Sequence, residues 1–261
     1  MITLVKFGGS LITDKTVASS FRKDVVERLA QELKSAFAAQ PEMKLILGNG
    51  SGSFGHVEAK KYNTINGVTS TDEWRGFTKV AAVASEIGQY VAETLVAADI
   101  PVFRVQPSAS VIAADGAIQS MALGPIQDGL EHGLVPLVHG DVAFDQVRGG
   151  TVVSTETVFT YLCKQLPVER ILLLGTEDGV YDMEKHTIEH ITSANLDTYR
   201  EALGGSGGVD VTGGMFTKVM DMLALASARP GLQVRVMSGT TPGLLTQALL
   251  GKSQPGTLIT A

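Results

Sequence analysis

Apolar positions along this chain change spacing repeatedly, and the changes mark out its elements. Ile2–Val5 is a short apolar run that reads as a strand over 2–6, closed by a glycine turn. Residues 21–38 then carry Phe21, Val25, Leu29, Leu33 and Phe37 four apart, the stripe of an amphipathic helix that Pro41 ends. A strand at 44–47 follows. A longer helix over 74–97 places Phe77, Val80, Ala81, Ala84, Ile87, Val91 and Leu95 along one side. Pro101 opens a strand at 102–105, a short helix lies near 124–131, and Val135-Pro-Leu-Val138 is a strand ending in His139-Gly-Asp141. Residues 142–153 pattern as a hairpin about Arg148-Gly-Gly150. Helix 155–165, strand 170–174, helix 214–228, strand 233–237, helix 242–250 and a closing strand at 257–260 complete the series.

Strands alternating with helices over short connections predict an α/β fold, a three-layer sandwich whose central, mostly parallel sheet is covered by helices on both faces. In such sheets ligands sit beyond the carboxyl ends of the strands. Gly8, Gly50, Gly140 and Gly175 all fall there, so their turns are expected to converge on one cleft. The glycine-rich stretch 204–208 reads as a mobile loop, with a linker as the plainer alternative. The chain has no internal repeat and no low-complexity segment.

Composition narrows the class. Glycine is enriched, 29 of 261 residues against roughly 7% on average, and much of the excess lies in those turns. A net charge of −6 argues against a general nucleic-acid surface, so any phosphate must be held by local lysines and backbone amides. The chain opens directly into a strand without a targeting pattern, and no apolar run approaches the roughly 18 residues of a membrane span. Cys163, the single cysteine, lies in an apolar helical segment and reads as buried filler in a reducing compartment. A cytoplasmic enzyme is the expectation, with no nucleic-acid or membrane partner.

Three glycine turns carry the candidate chemistry. They are Lys6-Phe-Gly-Gly-Ser10, Gly48-Asn-Gly-Ser-Gly-Ser-Phe-Gly-His56 and Thr212-Gly-Gly-Met-Phe-Thr-Lys218. Each bares backbone N–H groups at a helix start, the arrangement that holds phosphate. Lys6 and Lys15 flank the first turn and Lys218 follows the third by one helical turn, which suits a ligand with several phosphates. His56 at the mouth of the second turn reads as a ligand-contacting residue, whereas His139, closing a strand, reads as structural. His132, His186 and His190 have no metal-like spacing, and no protein metal site is expected. Asp141 is placed to orient a lysine or the acceptor, with hairpin support as its plain role. Gly50-Ser-Gly-Ser-Phe-Gly55 also matches the dinucleotide fingerprint, for which Asp72 or Glu73 would be the ribose acid. No apolar strand leads to them, so an oxidoreductase is disfavoured.

These blocks, with Gly140-Asp-Val-Ala-Phe-Asp145 and Gly175-Thr-Glu-Asp-Gly-Val-Tyr181, resemble the amino acid kinase superfamily in the right order over nearly the whole chain. Within it they most resemble the isopentenyl phosphate kinases, Gly-Ser-Phe-Gly-His56 being the specific part. The resemblance implies one domain with an acceptor-binding half at about 1–165 and a nucleotide-binding half at about 166–261. It implies transfer of the ATP γ-phosphoryl group to isopentenyl phosphate, with Mg²⁺ carried on the nucleotide, and a homodimer. Lys6, Lys15, His56 and Lys218 would be catalytic. Lys6, Gly8, Gly9, Ser10, Gly52, Thr176, Asp178, Gly213, Gly214 and Lys218 would hold ATP. Ser51, Gly52, Gly55, His56, Gly140 and Asp141 would bind the acceptor. Asn49, where many relatives carry histidine, and Ser154-Thr-Glu156, where aspartate is usual at the end, depart from the pattern.

The chemistry suits this independently. Transfer between two phosphates asks the protein for positioning and charge neutralisation and for no general base, since the acceptor phosphate is already largely ionised. A prenyl tail would need an apolar wall, for which Phe77, Val80, Ala84 and Ile87 with Val142, Phe144 and Val153 are candidates. The competing readings are a kinase for another small phosphate or phosphonate, such as a fosfomycin-kinase-like enzyme, and a nucleotide-sensing module without turnover.

Overall fold

A computed structural model describes residues 2–14, 16, 17, 19–54, 61–203 and 214–261. In chain order the elements are β1 (Ile2–Phe7), α1 (Gly9–Ile12), α2 (Lys23–Ala39), β2 (Lys44–Asn49), α3 (Thr71–Ala97), β3 (Val102–Arg104), α4 (Pro107–Ser110), β4 (Val111–Ala114) and β5 (Ala117–Met121). There follow α5 (Gly124–Glu131), β6 (Val135–His139), β7 (Asp141–Asp145), β8 (Gly149–Val153), α6 (Thr155–Gln165), β9 (Val168–Gly175) and β10 (His190–Ile191). The chain closes with α7 (Leu196–Tyr199), α8 (Met215–Ala228), β11 (Gln233–Ser238), α9 (Leu244–Leu249) and β12 (Thr257–Ile259).

The main sheet has eight strands in the order β10-β12-β11-β9-β1-β2-β6-β3, and every neighbouring pair is parallel except β11 with β12. β1 is buried along its whole length, as a strand covered on both faces must be. Its alternating side chains feed two cores. Val5 and Phe7 join Leu29 and Leu33 of α2 and Ile87 and Val91 of α3 on one face. Leu4 faces the other way, into a core with Val158, Phe159 and Leu162 of α6 and Met222 and Leu223 of α8. Burying each such side chain is worth about 1.5–3 kcal/mol, so the two layers clamp the central strands and fix where their ends stand. Cys163 is wholly buried in the second core, and burial pushes its thiol up to about 12, which leaves it a packing group.

A second sheet, β5-β4-β7-β8, goes beyond the hairpin expected at 142–153, which makes only half of it. The other half is the β4–β5 hairpin, which turns at Asp115-Gly116, both with positive φ, 50° and 80°. Asp-Gly between apolar runs is a hairpin signal in its own right. Asp145 locks this turn to the next: its carboxylate accepts N–H bonds from Asp115, Gly116, Val147 and Arg148. The predicted mobile loop at 204–208 lies outside the described residues.

Candidate active site

The ends of β9, β1, β2 and β6 stand side by side, and their turns pack backbone against backbone. Gly8 donates its N–H to Leu174 O at 2.8 Å, and Gly50 donates to Phe7 O at 2.9 Å. A Cβ on Gly8 would lie 2.4 Å from Leu174 O, one on Gly9 2.5 Å from Gly52 N, and one on Gly50 2.7 Å from Gly9 N. No side chain fits at any of the three, so glycine here is what allows the two turns to share one corner. Gly52 adds a left-handed φ of 49°. Thr13 ties the pair together, donating Oγ1–H to Gly9 O and accepting from Ser53 N–H at 3.0 Å. Gly175 joins on the far side, its carbonyl accepting from Gly239 N–H at 2.8 Å.

Lys6 leads into this corner and is buried, its ammonium paired with the carboxylate of Glu156. Register places Lys6 opposite Gly48, and a Cβ on Gly48 would strike Thr155 and Phe159 of α6. Bare backbone at Gly48 therefore lets the start of α6 sit on β2, which brings Glu156 to Lys6. Ser154 caps that helix, accepting from Thr157 N–H at 3.0 Å, and Thr155 Oγ1 donates to Asn49 O at 2.7 Å. The side chain that looked like a departure from the usual pattern, Glu156, is thus the partner of the central lysine.

The electrostatics of the pair extend to α8. Burial draws the Lys6 pKa below its ordinary value, the charge of Glu156 opposes that, and nearby Lys218 adds a further downward pull. Burial alone would raise the Glu156 pKa, but Lys6 first and then Lys218 outweigh it and hold the carboxyl below the usual range, ionised. Asp221, one turn beyond Lys218, is pushed upward by burial and by Glu156. Lys6, Glu156, Lys218 and Asp221 therefore form one interacting group. Glu156 and Asp221 were not among the predicted site residues; the i, i+3 spacing of Lys218 and Asp221 was the available signal.

Other predicted residues fall as follows. Ser10, Ser51, Gly140 and Gly214 are half-buried around the corner's strand and helix ends, while Thr176 and Asp178 are exposed just past β9. Gly214 is the N-cap of α8, and its carbonyl accepts from Lys218 N–H at 3.2 Å. Lys15, Gly55, His56 and Gly213 lie outside the described residues. Asp141 is buried and its two carboxylate oxygens accept from the amides of Val142 and Ser108, at 2.8 and 3.1 Å, so it braces β7 against α4. Glu73, the ribose acid of the dinucleotide reading, is instead the third residue of a capping box with Ser70. Backbone N–H bonds from Ser70 and Thr69 bring its pKa down to about 2.

Beside the corner, α3 and the small sheet form an apolar wall. Val68, Phe77, Val80 and Val142 cluster there with Trp74, Ala81 and Val152 against them. Trp74, Phe77 and Phe144 meet ring to ring, with centroids 5.2 to 5.9 Å apart, and Phe144 is half exposed. Among the described residues no three His, Cys, Asp or Glu side chains gather as a metal-holding group, and no helix is long and apolar enough to cross a membrane.

Comparison with known proteins gives a consistent result. Residues 1–238 match the amino acid kinase family. The isopentenyl phosphate kinase of Methanocaldococcus jannaschii is 34% identical over 258 residues, spanning 97% of this chain and 96% of that protein. The isopentenyl phosphate kinase of Methanothermobacter thermautotrophicus is 32% identical, spanning 98% of each. An X-ray structure of isopentenyl phosphate kinase superposes with a TM-score of 0.81 at 29% identity, all of both chains being covered.

Proposed function

The chain belongs to the amino acid kinase family, and we propose that it transfers the γ-phosphoryl group of ATP to isopentenyl phosphate, giving isopentenyl diphosphate and ADP. The observation that carries this reading is end-to-end likeness to isopentenyl phosphate kinases at 32 to 34% identity. The arrangement of the corner supports it.

In this reading Lys6 near the end of β1, fixed by Glu156, and Lys218 on α8 face the phosphates, with Gly8, Gly9 and Ser10 presenting amides to the nucleotide. Gly52, Thr176, Asp178, Gly213 and Gly214 complete the nucleotide side. Lys15 acts on the transferring group. Ser51, Gly52, Gly55, His56 and Gly140 hold the acceptor phosphate, His56 as a hydrogen-bond donor. Two anions approach in line, and the protein's work is to position them and offset their repulsion. Glu156 keeps Lys6 charged in a buried place where a lone ammonium would be costly. Mg²⁺ on the nucleotide supplies further neutralisation when bound; it is ordinarily held by one or two carboxylates and substrate phosphates, and Asp221 is the carboxylate of this group with no lysine at contact distance among the described residues. The acceptor tail lies along Phe77, Val80 and Val142.

The same reading divides the chain into an acceptor-binding half at about 1–165 and a nucleotide-binding half at about 166–261. It takes the protein as a cytoplasmic homodimer, which the reduced, buried Cys163 and the exposed Val96 and Leu134 near edge strand β3 suit. An ADP-release assay with isopentenyl, dimethylallyl and geranyl monophosphates beside fosfomycin and glutamate tests it. Isopentenyl phosphate should give the highest kcat/KM; preference for fosfomycin or glutamate, or no turnover with any, would reject it.

A further inference from the structure

Gly88 lies within α3 on the buried stripe that also carries Phe77, Val80 and Ala84. An interior helical glycine is unfavourable relative to alanine, so its place calls for a reason. A Cβ built there would lie 3.1 Å from Cδ2 and 3.4 Å from Nε2 of His139, and 3.5 Å from Nε of Arg104. The bare glycine thus forms a notch onto which two polar side chains converge. His139 Nε2, Arg104 Nε and Arg104 Nη2 are all buried and have no hydrogen-bond partner among the described residues. Asn49 Oδ1 is in the same condition. Asn49 is the register neighbour of His139 on β2, and because Gly48 faces α6, Asn49 faces the α3 side with it.

The hydrogen-bonding character of the notch is determined. His139 Nδ1 lies 3.1 Å from the carbonyl oxygen of Gly140, so Nδ1 carries the proton. Burial depresses the pKa of the ring, which is therefore neutral and presents a lone pair at Nε2. Arg104 is held by Nη1–H donating to Gln89 Oε1 at 2.8 Å, which leaves Nε–H and Nη2–H as donors. Donors on one wall and an acceptor on the other are the complement of a group that both accepts and donates. Buried water typically makes about three such bonds to groups otherwise unsatisfied.

We propose that the Gly88 notch is a binding site for one ordered water molecule, accepting from Arg104 and donating to His139, and that this bridge sets the seating of α3 on the sheet. Arg104, His139 and Gly88 are then positioning residues. Their effect on catalysis rests on the function proposed above: α3 carries the apolar wall for the acceptor tail, so the bridge acts on acceptor KM more than on kcat.

A high-resolution crystal structure tests the site without reference to any substrate. Density within hydrogen-bond reach of both His139 Nε2 and Arg104 supports it; a notch without density, or Arg104 bonded directly to His139, overturns it. Gly88→Ala gives a second measure. Displacing a bound water should lower the melting temperature, whereas a dry notch would gain helix propensity and packing and melt higher, which overturns the proposal. Crowding against His139 would also lower it, so the variant is repeated in an Arg104→Met background. A smaller loss there supports the bridge; an unchanged loss indicates crowding and counts against it. Finally, Gly88→Ala should raise the KM for isopentenyl phosphate several-fold with a lesser change in kcat. An unchanged KM would overturn the positioning role, while absence of turnover in the parent protein would instead reject the proposed reaction.

Discussion

Where β9, β1 and β2 end, main chain rests on main chain: Gly8 on Leu174, Gly9 on Gly52, with Lys6 and Glu156 paired beneath. Across the same region, α3 meets the small sheet through side chains, Trp74, Phe77 and Phe144 in ring contact with Val80 and Val142 behind them. The first construction leaves no adjustable atom, because a backbone contact cannot be relieved by a rotamer. The second can be recut by changing a single side chain. A phosphoryl-transfer corner must hold its donors to a fraction of an ångström, whereas an apolar tail pocket needs only volume and shape. The contrast teaches that tolerance to substitution should differ sharply between the two walls.

The largest effect is expected at the glycine contacts. Gly9→Ala would press Cβ to 2.5 Å from a backbone nitrogen, and Gly8→Ala to 2.4 Å from a carbonyl oxygen, so both should lose folded, active protein in thermal melts. Gly124→Ala, with nothing within 4 Å of its Cβ, is the control and should melt like the parent. If Gly9→Ala also did so, the backbone corner would not be the rigid side.

Next comes the buried pair. Lys6→Met should cost about 10²–10³ in turnover and, by stranding Glu156, roughly 3 kcal/mol of stability in denaturant titrations. Adding Glu156→Gln should return the stability and leave turnover low. Lys218→Ala should lose turnover while stability changes little, since Lys218 is exposed. Recovery of rate in the double variant would assign the lysine to structure alone.

On the side-chain wall the expected change is one of preference. Val80→Phe should reduce kcat/KM for geranyl phosphate about tenfold more than for isopentenyl phosphate, with some loss of stability because Val80 is buried. Equal losses for both acceptors would mean that this wall does not measure tail length.

The smallest effect concerns the hinge of the small sheet. Burial would raise the pKa of Asp145, but N–H bonds from Arg148, Gly116, Val147 and Asp115 prevail and hold it below the usual carboxylate range. A carboxyl depressed in the folded state contributes stability that is fully present above its unfolded value, about 3.9, and is lost as pH falls through the folded value. Asp145→Asn should therefore melt lower at neutral pH and lose less than the parent on acidification below about pH 4. Parallel melting curves across that range would contradict this.

Much of the molecule is legible in its sequence. The four-residue spacing in α2, the apolar runs of β1, β2 and β9 and the glycine turns at their ends are local patterns, set by helix and strand periodicity and by the steric freedom of glycine. Lys6, Ser51 and Lys218 stand out for the same reason, each lying next to such a turn. The β4–β5 hairpin is equally local, with its Asp115-Gly116 signal present but outweighed by the short, broken apolar runs around it. What the sequence does not carry is partnership over distance. Lys6 and Glu156 are 150 positions apart, and nothing in either neighbourhood specifies that Gly48 lets α6 settle where the two meet. Asp141 looks like a cleft residue from its place at a strand end, and only the packing of α4 beside β7 gives both its oxygens to amides. The Gly88 notch exists because one helix crosses two strands at one height. Local chemistry follows from neighbours in the chain, while burial, pairing and unmet hydrogen bonds follow from which surfaces the completed sheet and its helices bring into contact.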